Sequence, residues 1–296
     1  MRSVTSPSQA MAVATPSVSF WSSAQVWGVL FLLPYLLIFA LFVVFPVSYG
    51  FWLARDPGIY VRLYEDPIFL RTLGNTLVFI VVAVNVKLLL ALALSGFFAV
   101  ERWWIKALAV LFILPWAVPS IPTILSMRFM FNPEWGVVNA TIFKLTFQDG
   151  PNWLNEPAIA LAMSMVAHIW KSLPFWTLIL LAGRLAIAKD LYEAASVDGA
   201  SRWQRFANVT WPSLRTLYLT CVILSMIWTL GDFNSVYLLT GGQPADLTHV
   251  LATIGIRYLR FNQLDLAMGT IVMAMPFVLP LIWFMMRRLS RGNADA

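Results

Sequence analysis

Apolar residues fill six long stretches of this chain, and polar residues collect in the short segments between them. Each stretch reaches the ~20 residues that a helix needs to cross the hydrocarbon of a bilayer. The pattern therefore predicts an all-α integral membrane fold with six transmembrane helices. These run over residues 25–51, 72–99, 107–131, 157–183, 215–239 and 263–286.

Composition agrees with this pattern. Hydrophobic residues make up 60% of the 296 residues and charged residues only 11%, whereas soluble domains carry about a quarter charged residues. Three parts of the chain contain no charged residue, namely Ser3 to Ala54, Ala107 to Met127 and Leu266 to Met286. The one cysteine, Cys221, excludes an intrachain disulfide and a cysteine-rich metal site.

The net charge of +6 orients the chain once the basic residues are placed between the predicted spans. Lys and Arg are more frequent in the segments on the side of the amino terminus than in those on the other side. The first group is Arg2, Arg102, Lys106, Arg184, Lys189, Arg202, Arg205, Arg215, Arg287, Arg288 and Arg291, and the second is Arg55, Arg62, Arg71, Lys144, Arg257 and Arg260. The positive-inside rule then predicts that both termini face the cytoplasm, so basicity does not indicate a nucleic-acid partner.

The two ends of the chain are predicted to lie outside the membrane. Residues 1–24 are rich in Ser, Ala, Thr and Pro, which favours a disordered cytoplasmic tail. The apolar run that follows is too long for the core of a signal peptide, so we expect a retained first helix and no cleavage. The transmembrane domain is predicted over residues 25–288, with a cytoplasmic loop at 184–214, and residues 289–296 as a second cytoplasmic tail.

Three prolines interrupt the third predicted span: Pro115, Pro119 and Pro122. Prolines remove backbone donors from a helix, so this span is not expected to be straight. Irregular backbone at membrane depth is tolerated mainly where protein or water surrounds it. We therefore expect the span inside the bundle, either beside a path or a moving seam, or with a kink that serves packing alone.

The loop of residues 184–214 carries the sequence signals of two short helices. Asp190 with Glu193, and Ser201 with Gln204, each have the spacing of a helix cap and its reciprocal partner. Such short helices are marginal in water unless they pack against another surface. The loop is therefore predicted to dock onto a partner.

Two backbone signals separate these short helices and end the second one. Gly199 suits a left-handed turn between the helices. Pro212 is expected to stop the second helix before the fifth span begins. The apolar faces that await a partner comprise Leu191, Ala195, Trp203 and Phe206.

Asp232 is an ionisable residue inside the fifth predicted span, where charge is costly and usually faces a bundle interior or a watery cavity. In a continuous helix Trp228, Asp232 and Ser235 share one face, and Asn234 and Tyr237 extend it. An aromatic ring can cover the apolar face of a sugar while carboxylate and hydroxyl groups meet its hydroxyls. These five residues form the candidate substrate path, and helix packing alone is the alternative.

Further polar residues lie in the second and fourth spans. His168 and Lys171 share a face of the fourth helix, where they could meet Asp232 or simply stabilise helix contacts. A histidine in a membrane also suggests a proton relay, but no chain of carboxylates accompanies it. Lys87 and Asn85 point to nearly opposite sides of the second helix, so at most one is expected to line a path.

The chain lacks the sequence motifs of the commoner enzymes. It has no Gly-x-x-x-x-Gly-Lys-Ser/Thr loop for nucleotide phosphates, and no His-Glu-x-x-His, Gly-x-Ser-x-Gly or Cys-x-x-Cys arrangement. We therefore predict that the chain is not an enzyme and that it holds neither a catalytic nor a metal site. Any ATP must be bound by another subunit.

The loop of residues 184–214 resembles the Glu-Ala-Ala (EAA) loop of bacterial ABC importer permeases, and we call it the EAA segment. The pattern begins with Glu-Ala-Ala, and three intervening residues separate it from a Gly. Nine further residues lead to an Ile, and one more residue leads to a Leu-Pro pair. The residues in register are Glu193, Ala194, Ala195, Gly199 and Pro212, with Val209 in place of Ile and Trp211 in place of Leu. Both replacements remain apolar.

Other strings are similar to carbohydrate permeases of the same family. They are Leu33 to Trp52 in the first helix, Trp170 to Gly183 in the fourth, and Leu239 to Pro244, which is similar to a Leu-Thr-Gly-Gly-Gly-Pro turn of maltose and glycerol-phosphate type importers. The resemblance covers about residues 27–288 and favours sugar uptake. Arg184 and Ala188 depart from the Leu and Pro of many relatives.

The resemblance implies a permease of the bacterial cytoplasmic (inner) membrane that moves a sugar or sugar-like solute by alternating access. The implied partners are a second permease, two ABC ATPase subunits and a periplasmic or lipid-anchored solute-binding protein, with membrane lipid around the bundle. ATP and Mg²⁺ would belong to the ATPase subunits, so this chain is expected to bind no cofactor. The residues implied in ATPase coupling are Glu193, Ala194, Ala195, Asp198, Gly199, Ala200, Phe206 and Pro212.

Two other functions stay open at this point. An ion-coupled secondary transporter or channel would use His168, Lys171 and Asp232 as a relay and would need no ATPase. A membrane-tethered helix-turn-helix at residues 190–210 would bind DNA, but a helix held between two spans could hardly reach a major groove.

Overall fold

The computed structural model describes residues 23–292 of the chain. The predicted tail of residues 1–24 therefore lies outside the described residues except for its last two, which are helical. At the other end the last helix continues to Gly292, so the predicted tail begins later than residue 289, and its remainder lies outside the described residues as well. Contacts divide the chain into a first unit that ends at Trp52 and a second that begins at Leu53.

The described part of the first unit belongs to one long apolar helix, which ends one residue into the second unit. It consists of α1 (Ser23–Phe39), one π-helical turn (Ala40–Val44) and α2 (Phe45–Leu53). Its side chains are largely exposed, and rings four residues apart stack along it, as Tyr35 and Phe39 do with their centroids 6.2 Å apart. A helix that is apolar on all sides suits lipid, so the first predicted span is confirmed as a helix long enough to cross a membrane.

The second unit is also helical, and its described residues form no strand. Its helices are α3 (Pro57–Glu65), α4 (Pro67–Phe98), α5 (Trp103–Ala117), α6 (Ser120–Met130), α7 (Val137–Thr146), α8 (Pro157–Leu185), α9 (Lys189–Val197), α10 (Arg202–Arg205), α11 (Trp211–Leu230), α12 (Asn234–Tyr237), α13 (Leu251–Arg260) and α14 (Leu264–Gly292).

Five helices in the described chain are long and apolar enough to cross a membrane. Four of them belong to the second unit: α4, α8, the continuous run Arg202–Leu230 through α10 and α11, and Leu264–Phe284 within α14. A sixth span results if the bent pair α5 and α6 is taken as one. With that pair counted as one span, the six predicted spans are matched in number, and the fifth lies earlier in the chain than predicted.

The bend between α5 and α6 measures 94° and lies at the prolines that predicted it. Val118 and Pro119 are extended, as the residue before a proline tends to be, and the helix restarts at Ser120. Lys171 of α8 donates from Nζ to the carbonyl oxygens of Pro115 at 2.7 Å and Trp116 at 3.1 Å, and also to that of Val118. The ammonium group thus satisfies carbonyls that the break leaves without helical donors.

The core of the second unit lies between α4, α8 and α11. Val84, Leu88 and Ala91 recur along one face of α4 and are fully buried. They belong to one hydrophobic cluster with Trp176 and Leu180 of α8. This packing holds α4 beside α8, so polar residues on the facing sides share a common interior.

Asp66 lies between α3 and α4 and joins them to α13. Its side chain accepts hydrogen bonds from the backbone N–H of Ile68 at 2.9 Å, from Arg257 Nη1 at 2.7 Å and from Tyr258 Oη at 3.0 Å. Burial would raise the pKa of Asp66, but these hydrogen bonds and the charge of Arg257 outweigh it and hold the pKa below its usual range. The carboxylate therefore stays ionised at neutral pH and fixes the start of α4 against α13.

Candidate functional site

The EAA segment contains the short helix α9 and the beginning of a second helix, joined by a sharp turn as predicted. The first is α9, and Gly199 follows it with φ +76°, in the left-handed region. The N–H of Ala200 reaches the carbonyl of Ala195 at 2.9 Å, and the N–H of Gly199 reaches that of Ser196 at 3.1 Å. This pair of hydrogen bonds is the Schellman termination of a helix, which requires a residue that tolerates positive φ.

One of the two predicted caps is present and the other is wrong. Ser201 and Gln204 form the reciprocal pair, with Ser201 N–H to Gln204 Oε1 at 2.7 Å and Gln204 N–H to Ser201 Oγ at 3.4 Å. Asp190 does not cap α9, because the helix already begins at Lys189. Asp190 lies in the first turn instead, where a negative charge still suits the amino-terminal end of the helix dipole.

Pro212 does not end the second helix, contrary to prediction. The run from Arg202 to Leu230 is one helix of 29 residues, with a π-helical turn at Phe206–Thr210 directly before Trp211 and Pro212. A proline ring clashes with the carbonyl four residues earlier in a regular helix, and the wider π turn changes that spacing. The segment therefore continues into the membrane without a joint.

Side-chain contacts fix the EAA segment to itself and to the bundle. Tyr192 Oη lies 2.9 Å from Oγ1 of the buried Thr210, which joins α9 to the continuous helix. Arg184, at the end of α8, donates to Ser95 Oγ at 3.2 Å and to the Leu92 carbonyl at 3.3 Å on α4. The segment is thus held as one body with the ends of α4, α8 and α11.

The coupling residues inferred from the resemblance occupy different environments. Exposed positions are Glu193, Ala194, Asp198, Gly199 and Pro212, and half-buried positions are Ala195, Ala200 and Phe206. Large apolar side chains also face outward from this segment, with Val197 88% exposed and Trp203 74% exposed. Trp203 stacks on Phe206 with centroids 5.4 Å apart. An exposed apolar surface on a rigid support is typical of a docking site.

The fifth span ends earlier than predicted, and this corrects the expected arrangement of the candidate substrate path. α11 stops at Leu230, Gly231 follows, and Asp232 lies in a break before α12 begins at Asn234. Trp228, Asp232 and Ser235 therefore do not share a helix face by periodicity. Trp228 in the last turn of α11 and Asp232 in the break are still only four residues apart in the sequence.

Each residue of the candidate path has a defined position. Trp228 is 54% exposed and packs against Phe175, with the ring centroids 5.2 Å apart. Ser235 is buried, and its N–H donates to Asp232 Oδ1 at 3.2 Å. Asn234 is exposed, and the half-buried Tyr237 belongs to the same short helix.

Behind this break lies a set of buried polar contacts that we call the buried bridge, formed by Lys87, His168 and Asp232. Lys87 Nζ is 2.7 Å from His168 Nε2 and donates to Thr229 Oγ1 at 3.1 Å. His168 Nδ1 is 2.5 Å from Asp232 Oδ2. The bridge therefore links α4, α8 and the end of α11. His168 lies roughly 16 Å along α8 from the first residue of that helix, Pro157.

The chemistry of the partners assigns the histidine tautomer. The ammonium of Lys87 can only donate, so Nε2 of His168 accepts, and the ring proton on Nδ1 is donated to the carboxylate of Asp232. With Lys87 protonated, a neutral imidazole lies between a cation and an anion, and the three groups together carry no net charge. Balanced charge is the condition under which ionisable groups persist inside a membrane.

The structure decides between several sequence interpretations. His168 does meet Asp232, whereas Lys171 does not and serves the bend between α5 and α6. Asn85 points away and bonds to the carbonyl of Val81 on its own helix. Sequence reasoning missed the link from Lys87 to His168, although a lysine within an apolar span was itself a signal of a buried partner.

Comparison with known proteins identifies the family. Residues 87–291 match the family described as "Binding-protein-dependent transport system inner membrane component". The chain belongs to this family. The match covers both the EAA segment and the buried bridge, so the resemblance inferred from the sequence is confirmed. The permease is a multi-pass membrane component of a transport system, and the ion-coupled secondary transporter is not retained.

Two relatives are similar over most of their length. The permease is 32% identical over 267 residues to the trehalose/maltose transport system permease protein MalF of Thermococcus litoralis, covering 86% of this chain and 90% of that one. It is 33% identical over 268 residues to the sulfoquinovosyl glycerol transport system permease protein SmoG of Agrobacterium fabrum, covering 85% and 86%.

A solved structure confirms the fold. The permease superposes with a TM-score of 0.77 on a chain of the bacterial alginate ABC transporter in complex with an alginate pentasaccharide-bound periplasmic protein. The superposition covers 89% of this chain and 93% of the other at 22% sequence identity. The predicted all-α membrane fold is therefore confirmed.

Proposed function

We propose that this permease is one of two membrane subunits of an ATP-driven importer, and that it lines the path of a carbohydrate or sugar-like solute. The observation that carries the proposal is the family match over residues 87–291, supported by relatives whose names specify trehalose, maltose and sulfoquinovosyl glycerol. The predicted polyol, disaccharide and glycerol-phosphate classes belong to the same proposal.

The proposed assembly contains a second permease, two ABC ATPase subunits and a periplasmic or lipid-anchored solute-binding protein. ATP and Mg²⁺ bind in the ATPase subunits, and this chain binds no cofactor and catalyses no reaction. The permease lies in the cytoplasmic membrane with both termini and the EAA segment on the cytoplasmic side. The supporting observation is the excess of Lys and Arg in the segments of that side.

The EAA segment is the proposed contact with the ATPase. Its exposed apolar side chains, Val197 and Trp203 among them, offer a surface for another subunit, and Glu193 adds a polar contact. The helix Arg202–Leu230 extends from this surface over about 43 Å to the break at Asp232. Movement of the segment is therefore passed along one helix to the candidate substrate path, which is the basis of alternating access here.

Replacement of Gly199 tests this coupling. A Cβ at Gly199 would meet no atom within 4 Å, so the cost of substitution comes from φ +76° and not from crowding. Gly199→Val is expected to lower ATP-driven uptake about tenfold, because β-branched residues avoid this conformation. Gly199→Asn, which tolerates it, is the matched control and should stay close to wild type.

The measurement is uptake into proteoliposomes that contain both permeases and both ATPases, supplied with the solute-binding protein loaded with its own solute. Assembly of the complex should be unchanged in both variants. Wild-type uptake by Gly199→Val would remove the EAA segment from the coupling mechanism.

Cysteine labelling tests the proposed orientation. In a Cys221→Ala background, a membrane-impermeant maleimide should modify Val197→Cys only in inside-out vesicles. Leu145→Cys, which replaces a 77% exposed residue at the end of α7, should react only in right-side-out vesicles. The reverse pattern would place the EAA segment outside the cell and contradict the proposal.

A further inference from the structure

Within the buried bridge, Asp232 is the most accessible side chain, ahead of His168 at 8%. The side chain of Asp232 keeps 13% of its surface accessible, whereas Lys87 is 1% exposed and the ring of His168 lies between them. Trp228 and Asn234, on either side of Asp232 in sequence, are both exposed. The accessible surface at the break is therefore an aromatic ring, an amide and one edge of a carboxylate.

Asp232 retains acceptor capacity that the protein does not use. An ionised carboxylate offers about four lone-pair positions. The contacts of Asp232 are His168 Nδ1 on Oδ2, the Ser235 N–H on Oδ1 and a further hydrogen bond from the side chain of Ser235. About one position is left, which can accept a hydrogen bond from a hydroxyl group of a solute.

The basic side chains of the helices around Asp232 are directed elsewhere. Lys87 lies behind His168, and Lys171 is held by the carbonyls at the bend of α5 and α6. Arg184 binds the end of α4 near Ser95. Arg128 of α6 lines a separate cavity of about 450 Å³. In the described chain, none of these four cationic side chains donates a hydrogen bond to Asp232.

We propose that Lys87 and His168 are positioning residues that hold Asp232 ionised and aimed at the solute, and that this permease therefore selects uncharged polyhydroxylated solutes over anionic saccharides. The inference rests on the proposed function and narrows its substrate class. Lys87 balances the charge of the carboxylate across the neutral imidazole, which makes a carboxylate tolerable at this depth. A solute carboxylate, sulfonate or phosphate would meet a like charge there.

The selectivity distinguishes this permease from proteins of similar fold and sequence. One relative is named for sulfoquinovosyl glycerol, whose sulfonate is anionic, and a structural neighbour imports the acidic polysaccharide alginate. Similar architecture thus serves anionic saccharides elsewhere. We expect the charge at the α11 break to disfavour such solutes here.

The test measures equilibrium binding to the assembled permease–ATPase complex in lipid nanodiscs, without the solute-binding protein, so that only the membrane site selects. The neutral probes are radiolabelled maltose and trehalose, and the anionic probe is a disaccharide that ends in glucuronate. Wild type should favour the neutral probes. Asp232→Asn should reduce that preference about tenfold or more, since it removes a charged acceptor and the repulsion at once.

Lys87→Met distinguishes positioning from a general structural role. Lys87→Met should weaken binding of the neutral probes. The double variant Lys87→Met/Asp232→Asn should assemble as wild type does. Its preference between neutral and anionic probes should be as small as that of Asp232→Asn alone. Asn85→Ala, on the opposite side of α4, is the matched control and should change neither affinity nor preference.

The outcomes separate this inference from the proposed function. A wild-type preference for the glucuronate probe, or an unchanged preference in Asp232→Asn, would overturn the inference while ATP-driven saccharide uptake by the complex still supports the importer. Absence of any ATP-driven saccharide uptake by the complex with its loaded binding protein would instead remove the proposed function.

Discussion

The EAA segment and the buried bridge both depart from the usual distribution of polar and apolar groups. The EAA segment exposes apolar side chains, and the buried bridge buries ionisable ones. The EAA segment exposes Trp203 and Val197 on two helical pieces, whereas the buried bridge hides Lys87, His168 and Asp232 among spans. Exposed apolar groups cost free energy until a partner covers them, and buried ionisable groups cost free energy unless they are paired. We propose that another protein covers the first region, whereas contacts within the chain pair the ionisable groups of the second.

The two regions are the ends of one helix. The run from Arg202 to Leu230 begins in the EAA segment and stops just before Asp232. The partner-dependent end and the self-contained end therefore cannot move independently. Variants at each end should have different signatures, and the following predictions run from the largest expected effect to the smallest.

The largest effect is expected from breaking the buried bridge. Lys87→Met leaves Asp232 charged and without its balancing cation, which costs about 3–5 kcal/mol when one partner of a buried pair is lost. The thermal unfolding temperature of the purified complex should fall clearly. Lys87→Met/Asp232→Asn should recover most of the loss, because the second change removes the unbalanced charge.

Full additivity of the two substitutions would contradict the bridge. The comparison needs one further variant, Asp232→Asn alone, so that the interaction free energy can be taken from a double-mutant cycle.

A smaller effect is expected from substitution of Trp203, and it should concern binding of the ATPase subunit and not the stability of the permease. Trp203→Ser should weaken binding of the ATPase subunit about tenfold, because large aromatic residues dominate the energetics of interfaces. The stability of the permease itself should not fall, since this ring is 74% exposed. ATPase retention during affinity purification measures the first effect, and thermal unfolding measures the second.

Trp135 provides the control for Trp203. It is 59% exposed in the loop between α6 and α7, outside the EAA segment. Trp135→Ser should leave ATPase retention unchanged. Equal loss in both variants would mean that exposed tryptophan, and not the EAA segment, determines the association.

The smallest effect is expected at the contact that holds the EAA segment together. Tyr192→Phe removes the hydroxyl that lies 2.9 Å from Thr210 Oγ1 and should cost about 1 kcal/mol of local stability. Hydrogen exchange of α9 amides should increase while exchange in α4 stays constant. Unchanged exchange in α9 would show that the capping contacts alone maintain the segment.

The sequence was a good guide to those features that depend on local pattern. Six apolar stretches predicted the spans because the length of an apolar run is a local property. Pro115 and Pro119 predicted the bend for the same reason, as did Gly199 for the left-handed turn and Ser201 with Gln204 for the capping box.

Features that depend on distant residues were missed. Lys87 and His168 are 81 residues apart, and only the packing of α4 on α8 brings them together. No proline marks the end of α11 at Gly231, so the sequence predicted one continuous helix through Asp232. Pro212 was expected to stop a helix, and a π turn retained the helix instead.

The π turn at Phe206–Thr210 has a consequence for the geometry of the whole helix. A π turn accommodates one extra residue, which in a regular helix occupies about 100° of rotation. Side chains on the membrane side of the turn are therefore out of phase with those of α10 by about that angle. A change in the length of this turn would therefore rotate Trp203 relative to Trp228 about the helix axis.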